Sequence, residues 1–301
     1  MSTPPPRIEL APWQYEIGGV VLGTGTPIPV ADVEGLGAPT VRAQDTDNPV
    51  GDGVLPGQDF YAARTVRIEA GIKTPGDPTA AADLLARLHK ALDDPAARTS
   101  ATGRAVLRGR WPGHNIRRLY GRLRRVEAVS TAQARHGWIP LDIEFAATLD
   151  TRWHADESSR LVLPLDQTPR REGDTPQHCD EHADPDDRPG WITNHGNATA
   201  WPSLRIHGPA ANPRVWNTAT GQSIELALTL RSGEWVELET RPGTRWALRN
   251  GVTNVATDLV PPSRLDRFIL PPGRSEISWS ADDATGSSRL EVNWRSAYTS
   301  L

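Results

Sequence analysis

Six side chains able to bind metal or move protons fall between positions 178 and 184: His178, Cys179, Asp180, Glu181, His182 and Asp184, with His195 a little beyond. Imidazole, thiolate and carboxylate are the usual zinc ligands. His178 and His182 are four apart, which aligns two rings on one face of a helix. Pro176 and Pro185 bracket a segment too short for a stable helix, however, and the standard zinc spacings are absent. The whole stretch 168–189 is hydrophilic and aperiodic. It reads as an exposed acidic loop in preference to a metal site.

The remaining chemistry is sparser. Glu237, Glu239, Asp266, Glu276 and Glu291 sit on or beside strand patterns. A glycosidase needs two carboxyls facing each other across a cleft, at least one with a raised pKa. Carboxylates alternating along strands more often wet the outer face of a sheet. The sequence has no G-x-S-x-G, Walker A, H-E-x-x-H or dinucleotide fingerprint. Paired glycines in "GTGTPIPVADVEG" are followed by Pro27 and Pro29, where a phosphate-binding helix would have to begin. No catalytic, cofactor-binding or metal residue is assigned, and no cofactor is expected. Trp191, Trp201, Trp216, Trp235, Trp246, Trp279 and Trp294 crowd the second half of the chain. Within strand patterns they read mainly as core; an exposed one would suit sugar stacking or an interface. Arg117, Arg118, Arg122, Arg124 and Arg125 make one strand strongly basic. They read as a solvated sheet face or an inter-subunit salt-bridge rim in preference to phosphate ligands, with subunit contacts expected for most of them.

The elements that position these residues are mostly strands. Ile224, Leu226, Leu228 and Leu230 alternate with polar or small neighbours, as do Leu204 and Ile206, and Trp235 to Glu239 continues the theme. Period-2 alternation marks strands wet on one face. Gly208-Pro209, Thr220-Gly221, Ser232-Gly233, Pro242-Gly243 and Asn250-Gly251 supply turns between them. Short strands so spaced predict an antiparallel sandwich. Earlier in the chain, Phe60 to Ile72, Ala105 to Trp111, Arg117 to Ser130 and Trp138 to Ala147 read as strands, with Phe60, Val66 and Ile68 facing the core. Arg7 to Leu22 reads as strands broken at Gly18-Gly19, and Thr24 to Gly57 as a long irregular surface loop carrying weak strands such as Thr40 to Ala43, with an interaction loop as the alternative. One helix is clear, Asp77 to Leu92. Asp77 can cap it, Pro78 suits its first turn, and Ala81, Leu84, Leu85, Leu88, Ala91 and Leu92 form an apolar stripe that packs on a sheet.

Composition agrees with a β protein. The 26 glycines and 27 prolines of 301 residues exceed the usual combined share of about 12% and favour turns over helices. A net charge of -4 excludes a generally basic nucleic-acid binder, and 37% hydrophobic residues can build a core. Cys179 is the single cysteine, so no internal disulfide forms. The N-terminus lacks an apolar signal region, and no stretch approaches the roughly 20 apolar residues of a membrane span. The expectation is a protein made soluble in the cytoplasm, without membrane insertion.

The order of elements resembles a known family. Asn194-x-Gly196 opens a strand, Pro202 to Gly208 gives Pro-x-Leu-x-Ile-x-Gly, and Pro213 to Val215 and a Thr-Gly hairpin follow. Then come "RSGEWVELETR", "LRNGVTNV", "SRLDRFILPPGRSEISW" and "LEVNWRSAY". Upstream, Asp52-Gly53 precedes a strand carrying Arg64, and Asp150, Arg152 and Trp153 form a D-x-R-W-like junction. This sequence resembles the distal tail proteins of long-tailed phages, most clearly over 52–72 and from Trp191 onward. The resemblance implies a mainly β fold with one main helix. An N-terminal β-sandwich or split barrel, 1–150, would carry the helix 77–92. A C-terminal galectin-like antiparallel sandwich, 151–301, would carry the polar loop 168–189. It further implies a structural virion protein at the tail tip, forming a hexameric ring that joins the tail tube to the baseplate or fibre. DNA would pass through that ring unbound, and receptor-binding or fibre proteins would dock on the second domain. The alternative is a carbohydrate-binding sandwich of a host-recognition protein, which an exposed Trp pair on one sandwich face would favour.

Overall fold

The computed structural model describes residues 8–165 and 190–301. The candidate metal loop, His178 to Asp184, lies outside the described residues, as does the whole polar stretch 168–189. The chain forms two compact units, Met1–Asp156 with Tyr298–Leu301, and Glu157–Ala297. Both are built from antiparallel strands, and the fold is mainly β with one main helix.

The first unit is organised on one curled sheet. Its strands run in the order Val20–Gly23, Gln14–Ile17, Ala105–Arg110, Arg117–Ala128, Trp138–Ala147, Arg64–Lys73 and Val30–Glu34. The strands at the two ends of this order are consecutive in sequence, joined only by Thr24 to Pro29. So short a link between opposite edges requires the sheet to curl back towards itself, as a split barrel does. The Arg117–Ala128 strand makes the corner. Its first half pairs with Ala105–Arg110 and its second half with Trp138–Ala147, with a bulge between Leu123 and Arg125. That bulge breaks the alternation of this strand: Leu119 and Leu123 keep the period of two, and Val126, three residues on across the bulge, is buried as well. Gly121 sits inside the bend. A Cβ there would lie 2.3 Å from the Ala146 carbonyl and 2.7 Å from the Phe145 ring.

The helix runs Pro78–Leu92, and the Asp77 carboxylate accepts the Ala80 N–H at its start. Its stripe packs on the Arg117–Ala128, Arg64–Lys73 and Trp138–Ala147 strands, with Ala81 and Leu88 fully buried. A short second helix, Pro95–Arg98, follows with its own cap, Asp94.

Two sequence expectations need correction here. Phe60 to Ile72 is not one core strand. It splits into Phe60–Tyr61, which is exposed, and Arg64–Lys73, where Val66, Ile68 and Ala70 are buried as the alternation requires. Thr24 to Gly57 is also more regular than a surface loop, and the weak strand read at Thr40 to Ala43 is present as Val41–Arg42. Val30–Glu34 joins the sheet, and Val41–Arg42 pairs with Phe60–Tyr61 while Thr46–Asp47 pairs with Val54–Leu55. Residues 41–61 form a narrow two-stranded arm that is almost wholly exposed.

The second unit is a sandwich. A six-stranded sheet runs Ser159–Pro164, Arg289–Trp294, Ser203–His207, Trp235–Glu239, Trp246–Arg249 and Thr253–Asn254. A five-stranded sheet runs Trp191–Asn194, Gly273–Asp282, Ala210–Asn217 and Gln222–Glu225, with Thr229–Leu230 beside Ala210–Asn217. Leu204, Ile206, Val236, Leu238, Ile224, Leu226, Leu228 and Leu230 all enter one buried cluster. Asn194 ties this unit from inside, its amide donating to the Ala198 and Leu270 carbonyls. Of the seven tryptophans, only Trp279 and Trp294 are buried; the other five are half-buried, so the core reading fails for most of them.

Candidate functional site: an exposed arm and a charged sheet face

The arm belongs to the first unit. Residues 41–61 are almost all exposed, and six of them are large and apolar: Val41, Val50, Val54, Leu55, Phe60 and Tyr61. Val50 at the tip is 93% exposed. The tip turn is set by Gly53 at φ +87°, whose carbonyl accepts from the Asn48 backbone, while the Asn48 amide donates to the Asp52 carbonyl. Asp52 and Gly53 therefore hold an apolar tip together. Just beyond the ends of the paired strands Gln14–Ile17 and Ala105–Arg110, Trp13 and Trp111 form a second exposed pair, ring centroids 4.4 Å apart. Apolar groups concentrated on one projecting element mark an association surface.

Three internal devices hold this unit in shape. Arg64 is 3% exposed and donates to the carbonyls of Thr151, Gly35, Gly37 and Thr299, at 2.5–2.8 Å. Burial pushes its pKa down to about 10. Asp156 accepts from Arg108 at 2.8 Å and from Arg118 at 2.5 Å. Burial alone would raise the Asp156 pKa, but these two guanidiniums outweigh it and hold the carboxyl below the usual carboxylate range. His154 and Asp150 form a third buried pair at 2.8 Å. Asp150 and Trp153, singled out in the sequence, are thus structural, and Trp153 is fully buried.

Most arginines of the basic strand find partners inside the chain. Arg117 stacks on Tyr298 at 3.7 Å and donates to the Ser300 carbonyl; Arg118 holds Asp156. Arg122 donates to the Ser100 carbonyl, and Arg125 pairs with Glu127 and Asp142. Four of these five arginines thus have partners within their own unit. The last four residues are the part sequence reasoning missed. Tyr298–Leu301 packs with the first unit, and the Leu301 N–H donates to Leu36.

In the second unit, polar groups gather on the outer face of the six-stranded sheet. The register places Arg205 between Glu237 and Glu291 on neighbouring strands, and His207 between Trp235 and Arg289. A third row sets Ser203 between Asn293 and Glu239. Arg205 donates to Glu237 at 2.8 Å. Glu291 stands 2.7 Å from Arg160 and 3.0 Å from the His207 ring. It was expected to wet the surface; instead it is 7% exposed, enclosed by the Arg160 and Arg289 guanidiniums and the His207 ring. Burial and Arg289 lower the His207 pKa, while Glu291 acts in the opposite direction. A shallow cleft of about 310 Å³ opens among these groups. Of the other carboxylates considered, Asp266 pairs with its neighbour Arg264, and Glu239 accepts the Arg241 backbone N–H. His195 is exposed. Among the described residues, no group of three or more His, Cys, Asp or Glu could hold a metal ion, and no helix is long and apolar enough to cross a membrane.

No protein-family model and no curated protein matches the sequence. Solved structures do match its fold. The crystal structure of phage SPP1 Dit, described as a paradigm of the hub adsorption apparatus in phages infecting Gram-positive bacteria, aligns with TM-score 0.56 and 13% identity. The alignment covers 93% of this chain and 97% of that one. A chain of the phage P2 baseplate in its activated conformation with Ca aligns with TM-score 0.51, and one of the same baseplate with Sr with 0.52. Both are 10% identical over 93% of this chain and 97% of theirs. At such identities the likeness shows the fold, and it is the fold that the order of sequence elements implied.

Proposed function

We propose that this protein is a structural component of a phage tail tip, a distal tail protein that works by assembly and makes or breaks no bond. The observation that carries this reading is the match along nearly the whole of both chains to a hub protein of a phage adsorption apparatus. Both units and their order are shared, so the likeness is not that of one common sandwich. In this reading the first unit closes, in six copies, into a ring joining the tail tube to the baseplate or fibre. The second unit offers a face to receptor-binding or fibre proteins.

The surfaces support it. A closed ring needs a projecting element on one copy and a complementary patch on the next, repeated by rotation. The apolar arm 41–61 supplies the first, and the exposed Trp13–Trp111 pair is a patch of suitable character. On the basic strand Arg118 and Arg125 are paired with carboxylates, and Arg117 and Arg122 are turned to carbonyls of their own unit, which suits a ring that lets DNA through, since free guanidiniums would grip phosphates. Electron microscopy of the purified protein tests the reading. Closed rings with six-fold symmetry are expected; separate single chains at every concentration would overturn it.

A further inference from the structure

We propose that the outer face of the six-stranded sheet in the second unit binds a neutral saccharide, in the cleft between Arg160, Arg205, Glu237 and Asn293. The first argument is unused hydrogen-bonding capacity. Asn293 and Ser203 both line the cleft, and neither side chain has a hydrogen-bond partner among the described residues. Arg205 hydrogen-bonds Glu237, lies over the Trp235 ring at 5.9 Å and remains partly open to solvent. A ring of hydroxyls answers such a mixture of planar donors and acceptors, because each hydroxyl both donates and accepts.

Charge narrows the ligand class. The cleft is lined by two arginines and two glutamates, so their formal charges cancel. A polyanion such as nucleic acid or a phosphorylated glycan would meet Glu237 and Glu291 as readily as the cations. A lipid tail would meet almost no apolar wall. The volume, about 310 Å³, lies at the small end of the roughly 300–1,000 Å³ range of small-molecule clefts. It suits a short saccharide.

Aromatic placement supplies the third argument. Trp235 and Trp246 alternate with buried Val236 and Ala247, so both lie on this outer face, half-buried. Trp235 is opposite His207 and Trp246 is opposite Glu239, one at each end of the polar rows. Flat apolar rings beside planar polar groups are the two elements that sugar recognition combines.

Saturation-transfer NMR on the intact chain tests this, with galactose, glucose, N-acetylglucosamine, rhamnose and lactose as probes and inorganic phosphate as the anionic control. Saturable transfer from at least one sugar is expected, with none for phosphate. Asn293→Ala breaks no bond within the described protein, so it leaves folding unchanged and is expected to weaken sugar binding roughly tenfold, as is Arg205→Ala. Trp216→Ala, on the other sheet, is expected to leave binding unchanged. Phosphate binding at the cleft, no sugar binding, or sugar binding untouched by both cleft substitutions would each overturn the proposal. None of these outcomes bears on whether the chain forms rings.

Discussion

Arg64 is a buried cation held by backbone dipoles, with no carboxylate paired to it among the described residues. Four carbonyls from segments far apart in sequence converge on one planar fork: Gly35 and Gly37, Thr151, and Thr299. Removing it leaves those carbonyls without a donor in a dry site. Arg64→Met is expected to cost about 3 kcal/mol in urea unfolding, and Arg64→Lys most of that, because an ammonium cannot reproduce the fork. Asp156 gives a pH signature. Its folded pKa is depressed, so its contribution is present above the unfolded value near 3.8 and is lost as pH falls through the lower folded value. Asp156→Asn is expected to be less stable than the native chain at pH 7. That difference shrinks as unfolding is measured at successively lower pH, below about 4. His207 adds to the same trend from higher pH. Its pKa is lowered on folding, so acidification through 6.5 charges the unfolded ring first and draws the second unit towards unfolding.

At the level of elements, local rules explain most of what was legible in the sequence. The helix was read correctly because capping and periodicity agree; Asp77→Ala removes the cap bond to Ala80 and is expected to cost about 1 kcal/mol by thermal unfolding. Gly121→Ala would push a methyl group into the Ala146 carbonyl at the sheet corner, and about 1–3 kcal/mol is expected by the same measurement. The sandwich strands were legible since burial on one face forces period-2 alternation. What failed has physical causes of three kinds. A bulge shifts the period, so Arg117–Ala128 looked irregular. Alternation reports a two-faced strand but not whether a second layer covers it, so Phe60 was placed in a core it does not enter. Cross-strand partners are invisible in one strand's sequence, so Glu291 read as a wetted carboxylate and Arg64 gave no sign of its link to Thr299.

The whole molecule combines two β units with different surface character: an apolar arm on one, a charge-balanced polar face on the other. The first suits permanent association, which favours apolar contacts. The arm can be altered without touching either core. Val50→Asp with Leu55→Asp is expected to leave the thermal unfolding temperature unchanged, since both side chains are exposed, and to abolish assembly. The central claim is that this chain acts as a ring of copies. Its most direct test is mass by light scattering across a concentration series, on the native chain and on this double variant. The native chain is expected at six times its 32.8 kDa mass and the variant at one. A native chain that keeps the mass of a single copy at every concentration would contradict the account.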